Sequence, residues 1–364
     1  RHGDPAAARR IFEDFVKRFP ESPRTPEVRL AIARTYGLQQ DWPAAAQEYR
    51  AWLTAYPTNA ELPRAQFELA LATYWSKDDT NAVTLFTDFL AQFPTNAFAP
   101  QARWWVASYH FRKGAYVEAE KNYQLLIRSW PGSALAPEAG MMAGRAAMAR
   151  EVWLDGLGYF TNLTSSLNWT NPLWTQAMFA YGDALRRIES PDTNNPLANF
   201  NEAIKVYAKI HQLHATNASA ARAWGEIGKC YLQLATRDPN QYTNATRAFR
   251  QVLDSAGADV AARSEAVVGL GRVAEHLAEL EKGEARTARL REALDHYLDV
   301  FYKKNLRDGE RAAAWWQKEA GVRAAKLLTE SLHDSGAAER IYEELGKEFP
   351  PLRQSFERKL KKGT

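Results

Sequence analysis

The sequence predicts an all-α protein, an α-solenoid built from tandem helical hairpins. Three observations carry this prediction: an aromatic residue that recurs at near-regular intervals, a small residue four positions before each aromatic, and a second series of small residues between these pairs. Long-period repetition of this kind is typical of solenoids, in which each hairpin buries its apolar face against its neighbours.

The aromatic series is regular over the first half of the chain, where each member follows the last by 37 positions, and its later steps lengthen to 42–48 positions. Its members are Phe12, Tyr49, Phe86, Tyr123, Phe160, Tyr207, Phe249, Tyr297 and Tyr342. The small residues that precede them are Ala8, Ala45, Ala82, Ala119, Gly156, Ala203, Ala245, Ala293 and Ala338. Positions four apart lie on the same face of a helix, so each pair predicts one helix, which we call helix B.

The second series of small residues predicts a partner helix, helix A, before each later helix B. Its members are Ala33, Ala70, Ala107, Gly144, Gly182, Gly228, Gly271 and Gly321. Segments 102–112 and 221–234 carry apolar residues at i, i+3, i+4 and i+7, which indicates amphipathic helices. Two helices approach closely where one side chain is small and a ring on the other fills the adjacent gap, so we expect A and B to pair.

Prolines mark the ends of these helices. Five helices B are followed by a proline eight positions after the aromatic residue: Pro20, Pro57, Pro94, Pro131 and Pro350. Proline lacks a backbone N–H and clashes with a continuing helix, so it ends helix B. At the start of the chain, Asp4 and Pro5 form a helix N-terminus, and the helix that they begin is a helix B. We therefore expect a first helix A to precede Arg1.

This pattern resembles the tetratricopeptide repeat family over essentially the whole chain, and Gly114-Ala115-Tyr116 matches the turn between its helices. The segments Phe93–Pro100 and Trp130–Pro137 are similar to a bacterial cell-envelope branch. That branch includes the lipoprotein of outer-membrane protein assembly and the coordinator associated with Tol-Pal. The resemblance implies a right-handed superhelix with helices A on its concave face. It also implies a location in the bacterial periplasm or at the outer membrane, with the cytoplasm as the alternative.

Three regions are expected along the chain. Residues 1–167 form regular repeats, and residues 168–350 form repeats with expanded A–B turns, where Ser190–Pro196 and Glu281–Arg289 are inserted. Residues 351–364 form a capping helix, about Leu352–Leu360, and a basic tail. The basic residues of this region are Arg353, Arg358, Lys359, Lys361 and Lys362.

Composition and motifs argue against an enzyme and predict no cofactor and no metal. The single cysteine excludes a cysteine-cluster zinc site, and there is no glycine-rich phosphate loop. His211 and His214 could offer two metal ligands, but no third ligand is apparent beside them. The net charge of +4 is too small to indicate nucleic acid, and helices A lack the regular polar code of RNA-reading repeats. Membrane contact is expected only indirectly, through an anchor or an envelope partner.

The candidate partner-binding residues lie on helices A and just beyond them, mainly three positions before, one after and four after the small residue. They are Arg34, Phe67, Tyr74, Trp104, Ser108, Phe111, Arg112 and Arg145. Rings would anchor a peptide, and arginines would bind its carboxylates. The alternative is that the rings only pack between repeats. Two functions follow: a protein-interaction scaffold of a bacterial envelope assembly, or the regulatory or docking region of a larger enzyme or sensor.

Overall fold

The computed structural model describes residues 4–214 and 217–355, and this part of the chain contains helices and no strand. The odd-numbered helices are the predicted helices B: α1 (Pro5–Arg18), α3 (Trp42–Ala55), α5 (Asp79–Gln92), α7 (Tyr116–Ser129), α9 (Trp153–Ser166), α11 (Ala198–Leu213), α13 (Gln241–Asp254), α15 (Gly283–Phe301) and α17 (Ser335–Glu348). The even-numbered helices are the predicted helices A: α2 (Thr25–Leu38), α4 (Leu62–Trp75), α6 (Ala99–Arg112), α8 (Ala136–Ala149), α10 (Pro172–Leu185), α12 (Ala218–Leu234), α14 (Val260–Leu280) and α16 (Ala314–Glu330). This alternation confirms the predicted all-α repeat fold.

The chain forms two compact units, the N-terminal unit (Arg1–Leu163) and the C-terminal unit (Thr164–Thr364). In the N-terminal unit, α1 to α8 are all 14 residues long. In the C-terminal unit the helices are less uniform, and α14 reaches 21 residues. Consecutive helices pack against one another from α1 to α8 and from α10 to α17.

The ring of helix B lies at the centre of the packing in most hairpins. From Tyr49 onward, every ring of the aromatic series and its small partner are buried. The first pair, Ala8 and Phe12, is only half-buried, and α1 contains no buried residue, because α1 packs against α2 alone among the described helices.

At Gly144, Gly182, Gly228 and Gly271 the small residue of helix A lies directly against the ring of the following helix B, whereas Gly321 lies against Phe301 and Leu345. A Cβ atom added to Gly228 would stand 2.6 Å from Cε1 of Phe249, and one added to Gly271 would stand 2.5 Å from Cε1 of Tyr297. Real Cβ atoms do not approach other atoms this closely, so these two positions require glycine.

The A–B turns of the N-terminal unit share one backbone conformation. A left-handed residue occurs in each turn, and the four residues are 37 positions apart: Gln40, Lys77, Gly114 and Glu151, with φ of 62°, 69°, 75° and 61°. Two of the turns continue into an aspartate N-cap. In the first of them, Asp41 accepts a hydrogen bond from the backbone N–H of Ala44 (3.2 Å). The turn is thus set by its place in the repeat, and only one of its four residues is glycine.

The two insertions expected in the later repeats have different outcomes. Ser190–Pro196 lies, as expected, between α10 and α11. The residues near Glu281–Arg289 do not widen a turn, since α14 ends at Leu280 and α15 begins at Gly283. They lengthen the two helices instead.

The predicted capping helix falls mostly outside the described residues. A short 3-10 turn, Pro350–Leu352, follows α17, and helical backbone continues over residues 353–355. Arg358, Lys359, Lys361 and Lys362 lie outside the part of the chain that the structure describes.

Candidate functional site

The eight predicted binding residues lie on α2, α4, α6 and α8, all in the N-terminal unit. We call the side of these helices that carries them the helix-A face. The residues differ widely in exposure and in what they contact, and this decides which of them can meet a partner.

Phe67 is part of the core. Its side chain is 6% exposed and stacks on the ring of Phe98, with a centroid separation of 4.9 Å and an interplanar angle of 10°. It also packs against Phe86 of the following helix B. Almost none of its surface is left for a partner.

Arg34 is held by an acidic neighbour on the next helix A. Its Nε atom lies 3.0 Å from Oε2 of Glu68, and the hydroxyl of Tyr49 donates a hydrogen bond of 2.6 Å to the same oxygen. Burial and the nearby Glu68 carboxylate raise the pKa of Tyr49 well above its ordinary value. The charge of Arg34 is therefore largely neutralised within the array.

Tyr74 and Arg112 stand together on neighbouring helices A. The guanidinium of Arg112 lies over the Tyr74 ring at 5.3 Å from its centroid, a cation–π arrangement. Tyr74 also contacts Trp105 at 4.4 Å. On its outer side, Arg112 Nη2 is 3.6 Å from Oδ2 of Asp79, and both side chains are well exposed.

Two tryptophans extend this aromatic group. Trp75 is 47% exposed and stacks on Trp42 at 5.9 Å, while its edge meets Trp105 at 6.2 Å. Trp75 and Trp105 are not among the predicted residues, because the repeat register marks other positions of each helix A. Their signal was the run of adjacent rings at Tyr74-Trp75 and Trp104-Trp105.

Trp104, Ser108 and Phe111 form a second group, organised by the following helix B. Trp104 meets Tyr123 edge-on at 5.4 Å, and Ser108 Oγ lies 3.1 Å from the Tyr123 hydroxyl. Phe111 packs edge-on against Tyr116 at 5.3 Å. All three predicted residues are half-buried, so they support the hairpin with one side and reach solvent with the other.

Arg145 is exposed on α8, where its Nη1 donates to Sδ of Met142 at 3.7 Å. The structure thus joins Tyr74 with Arg112, and Trp104 with Ser108 through Tyr123. Arg34 is bound to Glu68, and Phe67 lies beneath the surface.

The helices A of the C-terminal unit carry linked charged groups as well as rings. Arg186 Nη1 lies 2.6 Å from Glu226 Oε2, and Lys229 Nζ lies 2.7 Å from Glu226 Oε1 and 2.8 Å from Glu265 Oε1. The Tyr207 hydroxyl donates to Asp183 at 2.8 Å. We call these linked groups the charge ladder.

The two histidines considered as metal ligands have separate neighbours. His211 stacks on Trp224 at 4.2 Å, and His214 lies beside Trp169 and 3.2 Å from the Thr175 hydroxyl through Nε2. Within residues 4–214 and 217–355, no group of three or more His, Cys, Asp or Glu is arranged to hold a metal ion. No helix in those ranges is both long and apolar enough to cross a membrane.

Comparison with known proteins agrees with the repeat architecture. A tetratricopeptide repeat family model matches residues 1–60, and an outer membrane lipoprotein family model matches residues 38–150. No curated protein matches the sequence.

Two solved structures show the same fold at low identity. The C-terminal part of a tetratricopeptide repeat protein from Cytophaga hutchinsonii is 14% identical with a TM-score of 0.51, over 72% of this chain and 94% of that one. The apo form of RapI is 12% identical with a TM-score of 0.52, over 93% of this chain and 97% of that one. Together with the repeat geometry, these findings show that the chain has the fold of tetratricopeptide repeat proteins and that residues 38–150 are similar to the outer membrane lipoprotein family.

Proposed function

We propose that this protein is a non-catalytic scaffold that binds a protein or peptide partner on the helix-A face of its N-terminal unit. The residues that would meet the partner are Tyr74, Trp104, Ser108, Phe111, Arg112 and Arg145. Tetratricopeptide arrays generally act as interaction scaffolds, and the proposal assigns that role to one face.

One observation carries the proposal: the half-exposed rings of α4 and α6 beside the guanidinium of Arg112. Aromatic residues and arginine are enriched at protein interfaces, where rings fixed by their own helices bury area at little entropic cost. Tyr74 and Trp104 are each fixed on one side by another ring, at 4.4 Å and 5.4 Å. They are therefore preorganised to receive an apolar side chain of the partner.

The arginines indicate a partner with acidic groups. Arg112 is bound to Asp79 across 3.6 Å, and the two side chains are 41% and 36% exposed. Such exposed pairs contribute at most about 1 kcal/mol, so a partner carboxylate can replace Asp79 at little cost. In this arrangement Arg34 and Phe67 hold the surface in place from within the array.

The location of the face supports a role in a bacterial envelope assembly. The outer membrane lipoprotein family model matches residues 38–150, and all six residues proposed to contact the partner fall inside that range. We place the protein in the periplasm or at the outer membrane on this ground.

Charge reversal tests the proposal. The wild-type protein is used to capture partners from an extract of the source organism. Arg112→Glu and Arg145→Glu are each expected to recover tenfold less of these partners, or lower still. The reason is that each reversal repels a partner's carboxylate at about 1–2 kcal/mol. Capture is quantified by mass spectrometry, and circular dichroism melting checks that the array stays folded.

Arg128→Glu is the matched control, because Arg128 is an exposed arginine on helix B, away from the helix-A face. If all three variants recover the same partners in the same amounts, the helix-A face is not the binding surface. Recovery of a catalytic subunit as the lost partner would point to the docking region of an enzyme complex instead of an envelope assembly.

A further inference from the structure

The C-terminal unit contains a cavity of about 420 Å³ where the ends of α11 and α13 meet the first half of α12. Its lining includes His211, Trp224, Gln251, Asp254 and Ser255. The cavity lies on a different unit from the helix-A face and is unrelated to the residues proposed to bind there.

One wall of the cavity is aromatic. The rings of His211 and Trp224 stack with a centroid separation of 4.2 Å and an interplanar angle of 23°. Burial lowers the pKa of His211 below its ordinary value, so its imidazole is neutral at pH 7. The wall is therefore a neutral aromatic stack, and the outer face of an aromatic ring attracts cations.

The lining of the cavity also contains a negative group, the carboxylate of Asp254. Asp254 is the last residue of α13, and its side chain is exposed. The carbonyl end of a helix carries partial negative charge, which adds to that of the carboxylate. Among the described lining residues there is no lysine or arginine, so Asp254 has no cation within the cavity.

We propose that this cavity binds the guanidinium group of an arginine side chain of a partner protein. A guanidinium is planar, stacks on aromatic rings and pairs with a carboxylate, whereas a lysine ammonium is a compact, strongly hydrated charge that stacks less well. Gln251 and Ser255 supply further oxygen atoms for its N–H donors. Free arginine fits less well than a residue within a chain, because no basic lining residue is present to bind its α-carboxylate.

The test uses N-acetyl-arginine amide as the probe, with N-acetyl-citrulline amide as its uncharged isostere. Each is titrated into the full-length protein, and binding is followed by the indole N–H signals of the tryptophans in NMR spectra, with Trp224 assigned through Trp224→Phe. The arginine probe is expected to shift the Trp224 signal in a saturable manner, and the citrulline probe is expected to leave that signal unchanged.

Asp254→Asn is expected to weaken binding of the arginine probe at least about fivefold, since it removes the charge that pairs with the guanidinium. Asp295→Asn, at an exposed aspartate of α15 outside the cavity, is the control and keeps the wild-type affinity.

Equal binding of the citrulline probe, or an unchanged affinity in Asp254→Asn, overturns the proposal. Tighter binding of free arginine than of the blocked probe overturns the assignment to a partner protein and indicates a small-molecule site. The citrulline comparison is made on the wild-type protein, so it stands whatever the variants do. None of these outcomes depends on Arg112 or Arg145, and failure of the scaffold proposal would leave this test intact.

Discussion

The first hairpins and the later ones bury the same helix-B ring against different small residues. In the N-terminal unit the first three helices A offer alanine, at Ala33, Ala70 and Ala107, whereas α8 offers Gly144 and the helices A of the C-terminal unit also offer glycine. Glycine costs a helix about 1 kcal/mol relative to alanine, yet it lets the ring of Phe249 occupy the space of a Cβ atom. One repeat pattern thus supports two depths of packing, and the deeper one tolerates less variation.

The units also differ in where they expose large apolar side chains. In the N-terminal unit, four of these lie where helix A turns into helix B: Leu38, Trp75, Val117 and Leu154. In the C-terminal unit, four lie where helix B leads into the next helix A: Trp169, Leu213, Tyr302 and Trp315. Exposed apolar side chains therefore concentrate at the A–B turns in the N-terminal unit and at the B–A connections in the C-terminal unit, with Phe19 and Leu280 as exceptions.

The largest expected effect separates the two packing depths. Gly228→Ala should destabilise the C-terminal unit by about 2–3 kcal/mol despite the gain in helix propensity, because the new Cβ overlaps the Phe249 ring. Ala70→Gly, the reverse change in the N-terminal unit, should cost about 1–2 kcal/mol through helix propensity and the loss of a buried methyl group. Urea unfolding followed by circular dichroism measures both. Equal costs would show that the units do not differ in packing depth.

Overpacking the alanine type of contact should have a somewhat smaller effect. Ala119 is fully buried in α7, and Ala119→Leu is expected to cost about 1–3 kcal/mol. Ala115→Leu is the control, since Ala115 is exposed in the preceding turn, and its cost should be several-fold lower. Thermal unfolding midpoints compare the two. A similar loss at both sites would contradict the repeat register.

The charge ladder gives the C-terminal unit a pH dependence. Burial and the nearby Glu226 raise the pKa of Asp183, against the opposing effects of the Tyr207 hydrogen bond and of Arg186 and Lys229. The folded state holds this proton more tightly than the unfolded state, so the contribution of Asp183 to stability is complete at low pH and is lost as the pH rises through the raised pKa.

Asp183→Asn keeps an acceptor for Tyr207 without the charge. Its stability relative to wild type should therefore improve as the pH rises from 4 to 7, by less than about 1 kcal/mol for a partly exposed group. Urea titrations at several pH values measure this difference, and a difference that stays constant over that range would refute the explanation.

The smallest effect concerns the turns of the N-terminal unit. Lys77 holds a φ of 69°, which strains a residue with a Cβ atom, so Lys77→Gly should stabilise by about 0.5 kcal/mol. Gly114→Ala, at the equivalent turn with φ of 75°, should destabilise by a similar amount. Thermal melting resolves both shifts, and changes of the same sign would argue that the four turns do not share one conformation.

The fold could be predicted from sequence because its two contact types leave a local signature. The pairing of Ala119 with Tyr123 four positions later defines a helix face, and the small residue of the preceding helix A identifies the surface that it meets. The lengthening of α14 and α15 was not predicted, because extra polar residues near a turn are compatible both with a longer loop and with additional helical turns.

The site was less predictable, since exposure depends on neighbours that are distant in sequence. Phe67 and Tyr74 occupy the same helix, yet Phe98 covers the first ring, while Trp105 leaves the second half-exposed. The Arg34–Glu68 pair and the cavity beside Trp224 arise from residues on separate helices, and no spacing rule joins them.

The four left-handed turn residues at 40, 77, 114 and 151 have a consequence for how such a chain can change in length. A genetic crossover between any two of these turns removes or duplicates whole hairpins, and each new junction reproduces a backbone conformation that the chain already uses. Ala33 would then face Phe86 in place of Tyr49, a ring of nearly the same size. The N-terminal unit can therefore gain or lose 37 residues at a time, whereas the unequal hairpins of the C-terminal unit offer no such interchangeable junctions.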